Sequence, residues 1–132
     1  EYDFSNQPDL AQTFIALCVG LDVSTQLTGL ESLKIKETNR IEALNKEIRN
    51  LDWELVETQD GVYCLQKRTS ISNHKKLQFK TYKDHRMAMC LAPLCIKFGE
   101  LIIENPKVVS KSNPLFWEQL ESLGFEIEFI QK

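Results

Sequence analysis

The sequence predicts an α/β fold of the α+β type, assembled from repeated βαβαββ units, on three observations. Helical and strand-like periodicities alternate along the chain. Asp9 and Lys36 lie 27 residues apart, and so do Asp84 and Lys111. Each Asp opens an apolar, helix-like run, and each Lys precedes a second such run. The two copies also end alike, with Leu51-Asp52-Trp53-Glu54-Leu55 answering Leu123-Gly124-Phe125-Glu126-Ile127. One unit is expected over about 9–82 and a second, nearly complete, over about 84–132, both within one partial domain.

The elements follow in order. Pro8-Asp9 starts a helix, because proline suits a first turn, and Leu10, Phe14 and Leu17 recur at helical spacing until Gly20-Leu21-Asp22. Residues 23–28 alternate and carry β-branched side chains, which predicts a strand. Residues 29–35 connect it, with a short extended piece, to a helix capped by Thr38 or Asn39. The buried stripe of that helix is Ile41, Leu44, Ile48 and Leu51. A strand over 53–57 turns at Gln59-Asp60-Gly61 and returns over 62–66, since Asp-Gly is a strong hairpin signal. Residues 68–76 read as a mobile polar loop and 77–82 as a strand. A helix over 84–98 is kinked at Pro93 and stopped by Gly99. A strand over 101–104, a turn at Asn105-Pro106 into Val108-Val109, a helix over 112–123 and a last alternating strand over 125–130 complete the chain.

Composition bounds the function. At 132 residues, 42% hydrophobic and 27% charged, the chain is long enough and apolar enough for one globular domain. A net charge of −3 argues against a nucleic-acid surface and leaves room for local basic clusters facing a small anion. No apolar run reaches membrane-spanning length and no signal peptide opens the chain, so no membrane partner is expected. Glu1-Tyr2-Asp3-Phe4 reads like the interior of a strand or loop, which suggests a piece of something longer. Cys18, Cys64, Cys90 and Cys95 form no CxxC pair and have no His at zinc-finger spacing. They read as reduced thiols in a cytoplasmic protein, with no metal.

Charge concentrates at the expected helix starts, where unpaired N–H groups favour anions. In Lys36-Glu37-Thr38-Asn39-Arg40, a helix starting near Glu37 would put Lys36 and Arg40 on one face, where two cations repel unless an anion lies between them. The alternative is a solvated helix start with a local ion pair. In Asp84-His85-Arg86, Asp84 can cap a helix, Arg86 can fork onto carboxylate or phosphate, and His85 can titrate or donate. An N-cap with incidental neighbours is the plainer reading. Asp9 alone would be an N-cap and Lys111 alone would signify little, but the repeat gives them matching places. Lys46, Glu47, Arg49, Lys75 and Lys76 look like solvated charges.

Pro8-Asp9, Lys36-Glu37-Thr38-Asn39-Arg40, Asp84-His85-Arg86-Met87-Ala88-Met89, Asn105-Pro106-Lys107 and Lys111-Ser112-Asn113-Pro114 together resemble the 5-enolpyruvylshikimate-3-phosphate synthases, in the family's order along the whole chain. The sister transferase acting on UDP-N-acetylglucosamine lacks the Lys-Glu-Thr-x-Arg and Asp-His-Arg-Met-Ala-Met pair. Asn39 stands where the family usually has Asp, and Asn113 where an aromatic is common.

The resemblance implies a C-terminal portion of an enolpyruvyl transferase with an inside-out α/β fold. Its active site would lie in a cleft whose other wall, with further Lys, Arg and Ser ligands, belongs to the N-terminal part. The implied reaction moves the enolpyruvyl group of phosphoenolpyruvate to the 5-hydroxyl of shikimate 3-phosphate through a tetrahedral intermediate, releasing phosphate, without cofactor or metal. By motif position Asp9 resembles the base and Glu37 the proton donor. Lys36 resembles a shikimate-phosphate contact, Arg40, Arg86 and Lys111 the phosphoenolpyruvate-binding set, and His85 a neighbour of it. The piece alone is expected to be inactive. A non-catalytic anion-binding or interaction domain on the same scaffold is the competing expectation.

Overall fold

A computed structural model describes residues 1–69 and 76–130. Its strands are β1 (Tyr2–Asp3), β2 (Thr25–Thr28), β3 (Trp53–Gln59), β4 (Val62–Lys67), β5 (Leu77–Phe79) and β6 (Leu101–Ile103). Its α-helices are α1 (Ala11–Leu21), α2 (Arg40–Ile48), α3 (His85–Leu91), α4 (Cys95–Phe98) and α5 (Phe116–Ser122). One sheet runs β1-β2-β4-β3, with β1 parallel to β2 and the other pairs antiparallel. A second sheet is the parallel pair β5-β6.

The two parallel pairs carry the repeat. β1 leads through α1 to β2, and β5 leads through α3 and α4 to β6. Tyr2 precedes Asp9 by seven residues, as Leu77 precedes Asp84, and the buried aromatics Phe4 and Phe79 hold the same place in each copy. Each second strand then enters a 3-10 turn, Glu31–Ile35 in one copy and Pro106–Lys111 in the other. Asp52 and Gly124, which match in the two copy endings, both have positive φ, 64° and 102°.

Local chemistry explains most elements. The Asn39 side chain accepts from Glu42 N at 3.2 Å and so caps α2. Asp60-Gly61 closes the β3–β4 hairpin, where Gly61 takes φ +77° with a register shift beside it. Pro93 breaks the third helix into α3, a 3-10 turn over Ala92–Leu94, and α4. Gly29 is irreplaceable for space: a Cβ there would lie 2.3 Å from the Ser5 backbone nitrogen, where β1 leaves the sheet.

Several expectations give way. The buried face of α1 is Ala11, Gln12, Ile15, Ala16, Cys18 and Val19, while Leu10 and Leu17 are exposed, because the face towards α3 lies a step around the helix from the predicted stripe. Within the connection 29–35, where a short extended piece is expected, Glu31–Ile35 is a 3-10 turn, since the chain must climb from β2 to α2. The 77–82 strand ends at Phe79, because Tyr82 and Lys83 take left-handed backbones with φ 55° and 57°. Two bulky residues there cost roughly 1–2 kcal/mol each, so their surroundings must hold them. The last helix begins at Phe116, not 112, after Pro114 and Leu115. Residues 125–130 form no strand: their alternation marks two faces, but among the described residues no strand lies beside them. Of the polar stretch 68–76, residues 70–75 lie outside the described residues, Lys75 with them.

The core joins both copies. Phe4, Leu27, Leu44 and Leu65 on the first side meet Phe79, Met87 and Leu91 on the second, with α1 packed on α3. Ile41, Leu44, Ile48 and Leu51 are buried as the stripe predicts.

Candidate active site

Each copy sends charged side chains to one end of this core. The 3-10 turn Pro8–Leu10 ahead of α1 presents Asp9. Lys36 and Glu37 follow the 3-10 turn after β2, and Arg40 is the first residue of α2. Asp84, His85 and Arg86 open α3, and Lys111 ends the 3-10 turn after β6. Both repeated lysines thus sit at the exits of 3-10 turns rather than at α-helix starts, and Lys36 is not on α2. The shared helical face expected for Lys36 and Arg40 does not exist. Their meeting is made by tertiary packing.

Arg40 is the centre. Its side chain is 2% exposed, and Asp84 is 0% exposed. The guanidinium forks onto Asp84, Nε donating to Oδ2 at 2.8 Å and Nη2 to Oδ1 at 3.2 Å. Nη1 donates to Asp9 Oδ1 at 3.3 Å, and Nη2 also donates to Glu37 Oε2. A buried cation is tolerable only when paired and hydrogen-bonded, and Arg40 has three carboxylates around it. Asp84 does two jobs, because its Oδ1 also accepts Arg86 N at 3.0 Å and caps α3. The cap was visible in the sequence; the ion pair with Arg40, 44 residues away, was not.

The remaining cations are more open and gather around the two outer carboxylates. Lys36 Nζ lies 3.8 Å from Asp9 Oδ1. Arg86 Nη1 donates to the Asp9 backbone carbonyl at 3.3 Å, with Nη2 3.9 Å from Asp9 Oδ2. Lys111 Nζ donates to Glu37 Oε1 at 2.7 Å, across 74 residues of sequence. The hydrogen bond from Lys111, aided by the backbone and by Arg40, pushes the Glu37 carboxyl down to about 2. His85 is buried, and that burial lowers its pKa against the pull of Asp84, 3.9 Å from its Nδ1. Its Nδ1 has no hydrogen-bond partner among the described residues.

All seven residues singled out from the sequence, Asp9, Lys36, Glu37, Arg40, His85, Arg86 and Lys111, therefore converge. Four cations face Asp9, Glu37 and Asp84, with Lys36, Arg86 and Lys111 open enough to meet a ligand. Such a cluster can bind a small polyanion and offers two accessible carboxylates for proton transfer beside it. Sequence reasoning missed Asp84 as the partner of Arg40, and it misplaced Glu47. Expected on a solvated face, Glu47 is buried, because its carboxylate accepts from Lys80 N and from Tyr82 Oη, each at 2.6 Å. Its place seven residues after Arg40, on the same face of α2, was the available signal.

Fold and cluster together define an α+β protein with four cations gathered around three carboxylates at one end of its core. The chain belongs to the EPSP synthase (3-phosphoshikimate 1-carboxyvinyltransferase) family, whose model matches residues 1–120. It is 44% identical over 126 residues to the 3-phosphoshikimate 1-carboxyvinyltransferase of Bacteroides fragilis strain ATCC 25285, covering 96% of this chain and 30% of that protein. The enzyme of the same name from Clostridium kluyveri is 36% identical over 127 residues, covering 96% of this chain and 29% of its own. Among solved structures, EPSP synthase from Acinetobacter baumannii superposes with a TM-score of 0.68 at 25% identity, over 89% of this chain and 28% of that one. The chain thus spans about three-tenths of the length of the curated relatives it matches.

Proposed function

We propose that this chain is the C-terminal part of an enzyme that transfers the enolpyruvyl group of phosphoenolpyruvate to the 5-hydroxyl of shikimate 3-phosphate, with release of phosphate. The observation that carries the reading is the convergence of Asp9, Lys36, Glu37, Arg40, Arg86 and Lys111 from four separate segments onto one cluster. Lys36 would contact the phosphate of shikimate 3-phosphate. Arg86 and Lys111 would take phosphoenolpyruvate, with His85 beside them. Arg40 would back that set, since an entering carboxylate competes with Asp9 and Glu37 for its guanidinium.

Proton traffic falls to the two outer carboxylates. Asp9 would accept the hydroxyl proton as the oxygen attacks, and Glu37 would protonate the methylene carbon. With its carboxyl down at about 2, Glu37 is ionised at neutral pH. It becomes a proton donor only when the ligand takes Lys111 and Arg40 from it. The residual N-terminal wall of the cleft, and the remaining ligands, would come from the rest of the enzyme, so the chain alone should not turn over. The parallel pairs β1-β2 and β5-β6 favour starting each repeat unit one strand earlier, at Tyr2 and Leu77, than the division at 9–82 and 84–132. The reading sets the protein in the cytoplasm, where its four free cysteines stay reduced. Among the described residues no helix is long and apolar enough to cross a membrane.

The test joins this chain to the remainder of the Bacteroides fragilis relative and measures phosphate release from phosphoenolpyruvate and shikimate 3-phosphate. Turnover that falls by at least about a hundredfold in Asp9→Ala and Glu37→Gln supports the assignment. Unchanged rates in both would reject these two roles.

A further inference from the structure

Arg40 and Glu47 stand two turns apart on the same face of α2, both buried, and both reach the segment 80–84. Arg40 forks onto Asp84 at the far end of that segment. Glu47 holds its near end, accepting from Lys80 N and from Tyr82 Oη at 2.6 Å each. Between the two grips lie Tyr82 and Lys83, consecutive non-glycine residues in the left-handed region. Such a pair persists only where its surroundings over-determine it. Thr81, also buried, adds a tie from its hydroxyl to the Glu104 carbonyl at 3.1 Å, and Asp84 N donates to the Thr81 carbonyl at 2.8 Å. A carboxylate buried on a helix needs such donors, and among the described residues Glu47 finds them at Lys80 and Tyr82 of this segment.

We propose that Glu47 is a positioning residue that braces residues 80–83 through Tyr82 and Lys80, and so aims Asp84 at Arg40 and sets Arg86 at the mouth of the cluster. The proposal rests on the enolpyruvyl-transfer reading only for its consequence in catalysis. The geometric claim concerns Asp84 and Arg40 themselves. Glu47 touches none of the cationic side chains of the cluster; it acts through the left-handed turn.

The decisive reading is the Arg40 side-chain Nε–H signal in nitrogen-15 NMR of the chain without ligand, a hydrogen bonded to Asp84 and shielded from solvent. Glu47→Ala should shift that signal and speed its exchange with water. Tyr82→Phe, which keeps the buried ring and deletes only the hydroxyl, should shift it in the same direction. Glu47→Gln, which keeps an acceptor oxygen, should restore most of the native signal. Leu65→Ala, a core deletion in the larger sheet, should lower stability without moving it. In parallel, the affinity for inorganic phosphate, followed at the Arg86 and Lys111 amides, should fall about tenfold in Glu47→Ala, as misaimed binding groups do. An unmoved Arg40 signal in a folded Glu47→Ala overturns the brace. Should that variant not fold, an unmoved signal in Tyr82→Phe does the same. Because the Arg40 signal is read without ligand, it decides the brace whether or not the chain binds phosphate.

Discussion

Replacing Asp84 by Asn tests the centre of the cluster. Asp84 is wholly buried and supplies both oxygens of the fork to Arg40 besides capping α3. Removing one partner of a buried pair costs about 3–5 kcal/mol, because the other charge stays in the interior. Arg40 keeps Asp9 and Glu37, which places Asp84→Asn at the lower end, about 3 kcal/mol. Asn retains an oxygen for Arg86 N, so the cap survives. Asp84→Ala loses the cap as well and should cost about 1 kcal/mol more. For a domain of this length, 3 kcal/mol corresponds to a fall of about 10 °C in melting temperature. Urea unfolding followed by the fluorescence of the buried Trp53 measures it, with an unchanged m-value as the check that only stability has moved. A loss below about 0.5 kcal/mol in Asp84→Asn, in the range of a surface substitution, would refute the view that this carboxylate balances Arg40.

Further outcomes follow from the same geometry. Lys111→Ala should raise the Glu37 carboxyl from about 2 towards its ordinary 4.5, read by carbon-13 NMR of the side chain, since the Lys111 hydrogen bond is the largest cause of the depression. Because Glu37 titrates lower in the folded chain than in the unfolded one, its stabilisation is present above pH 4.5 and lost as pH falls towards 2. The unfolding free energy from urea titrations should fall less between those pH values in Lys111→Ala, by about 1 kcal/mol for so accessible a pair. Inorganic phosphate should bind the chain weakly, with amide shifts at Arg86 and Lys111 that vanish in Arg86→Ala and at high salt. The Cys90 thiol, buried and pushed up to about 12, should resist alkylation until the chain unfolds, while the half-buried Cys64 reacts earlier under mass-spectrometric readout.

The elements legible in the sequence were those whose cause is local. Asn39 caps α2 through its own third neighbour, Asp60-Gly61 turns a hairpin within two residues, and Pro93 breaks a helix by lacking a donor. The strand over 125–130 failed for the opposite reason: a strand needs hydrogen bonds from a neighbour, and alternation says nothing of whether one is there. The early stop of β5 came from Tyr82 and Lys83, whose left-handed backbones no local propensity favours.

By itself the sequence determined the alternation of helices and strands, the doubled Asp-to-Lys spacing, and the seven ionisable residues that the structure brings together. Those follow from patterns of a few residues and from motifs whose spacing survives in the chain. Only the tertiary structure decided the roles within the cluster. It made Arg40 a buried cation shared by Asp9, Glu37 and Asp84, and it tied Lys111 to Glu37. It also turned Glu47 from an expected surface charge into the hold on the turn that presents Asp84. The physical reason is that a charge is buried or solvated according to the partners that packing brings from distant segments, and 44 residues separate Arg40 from Asp84.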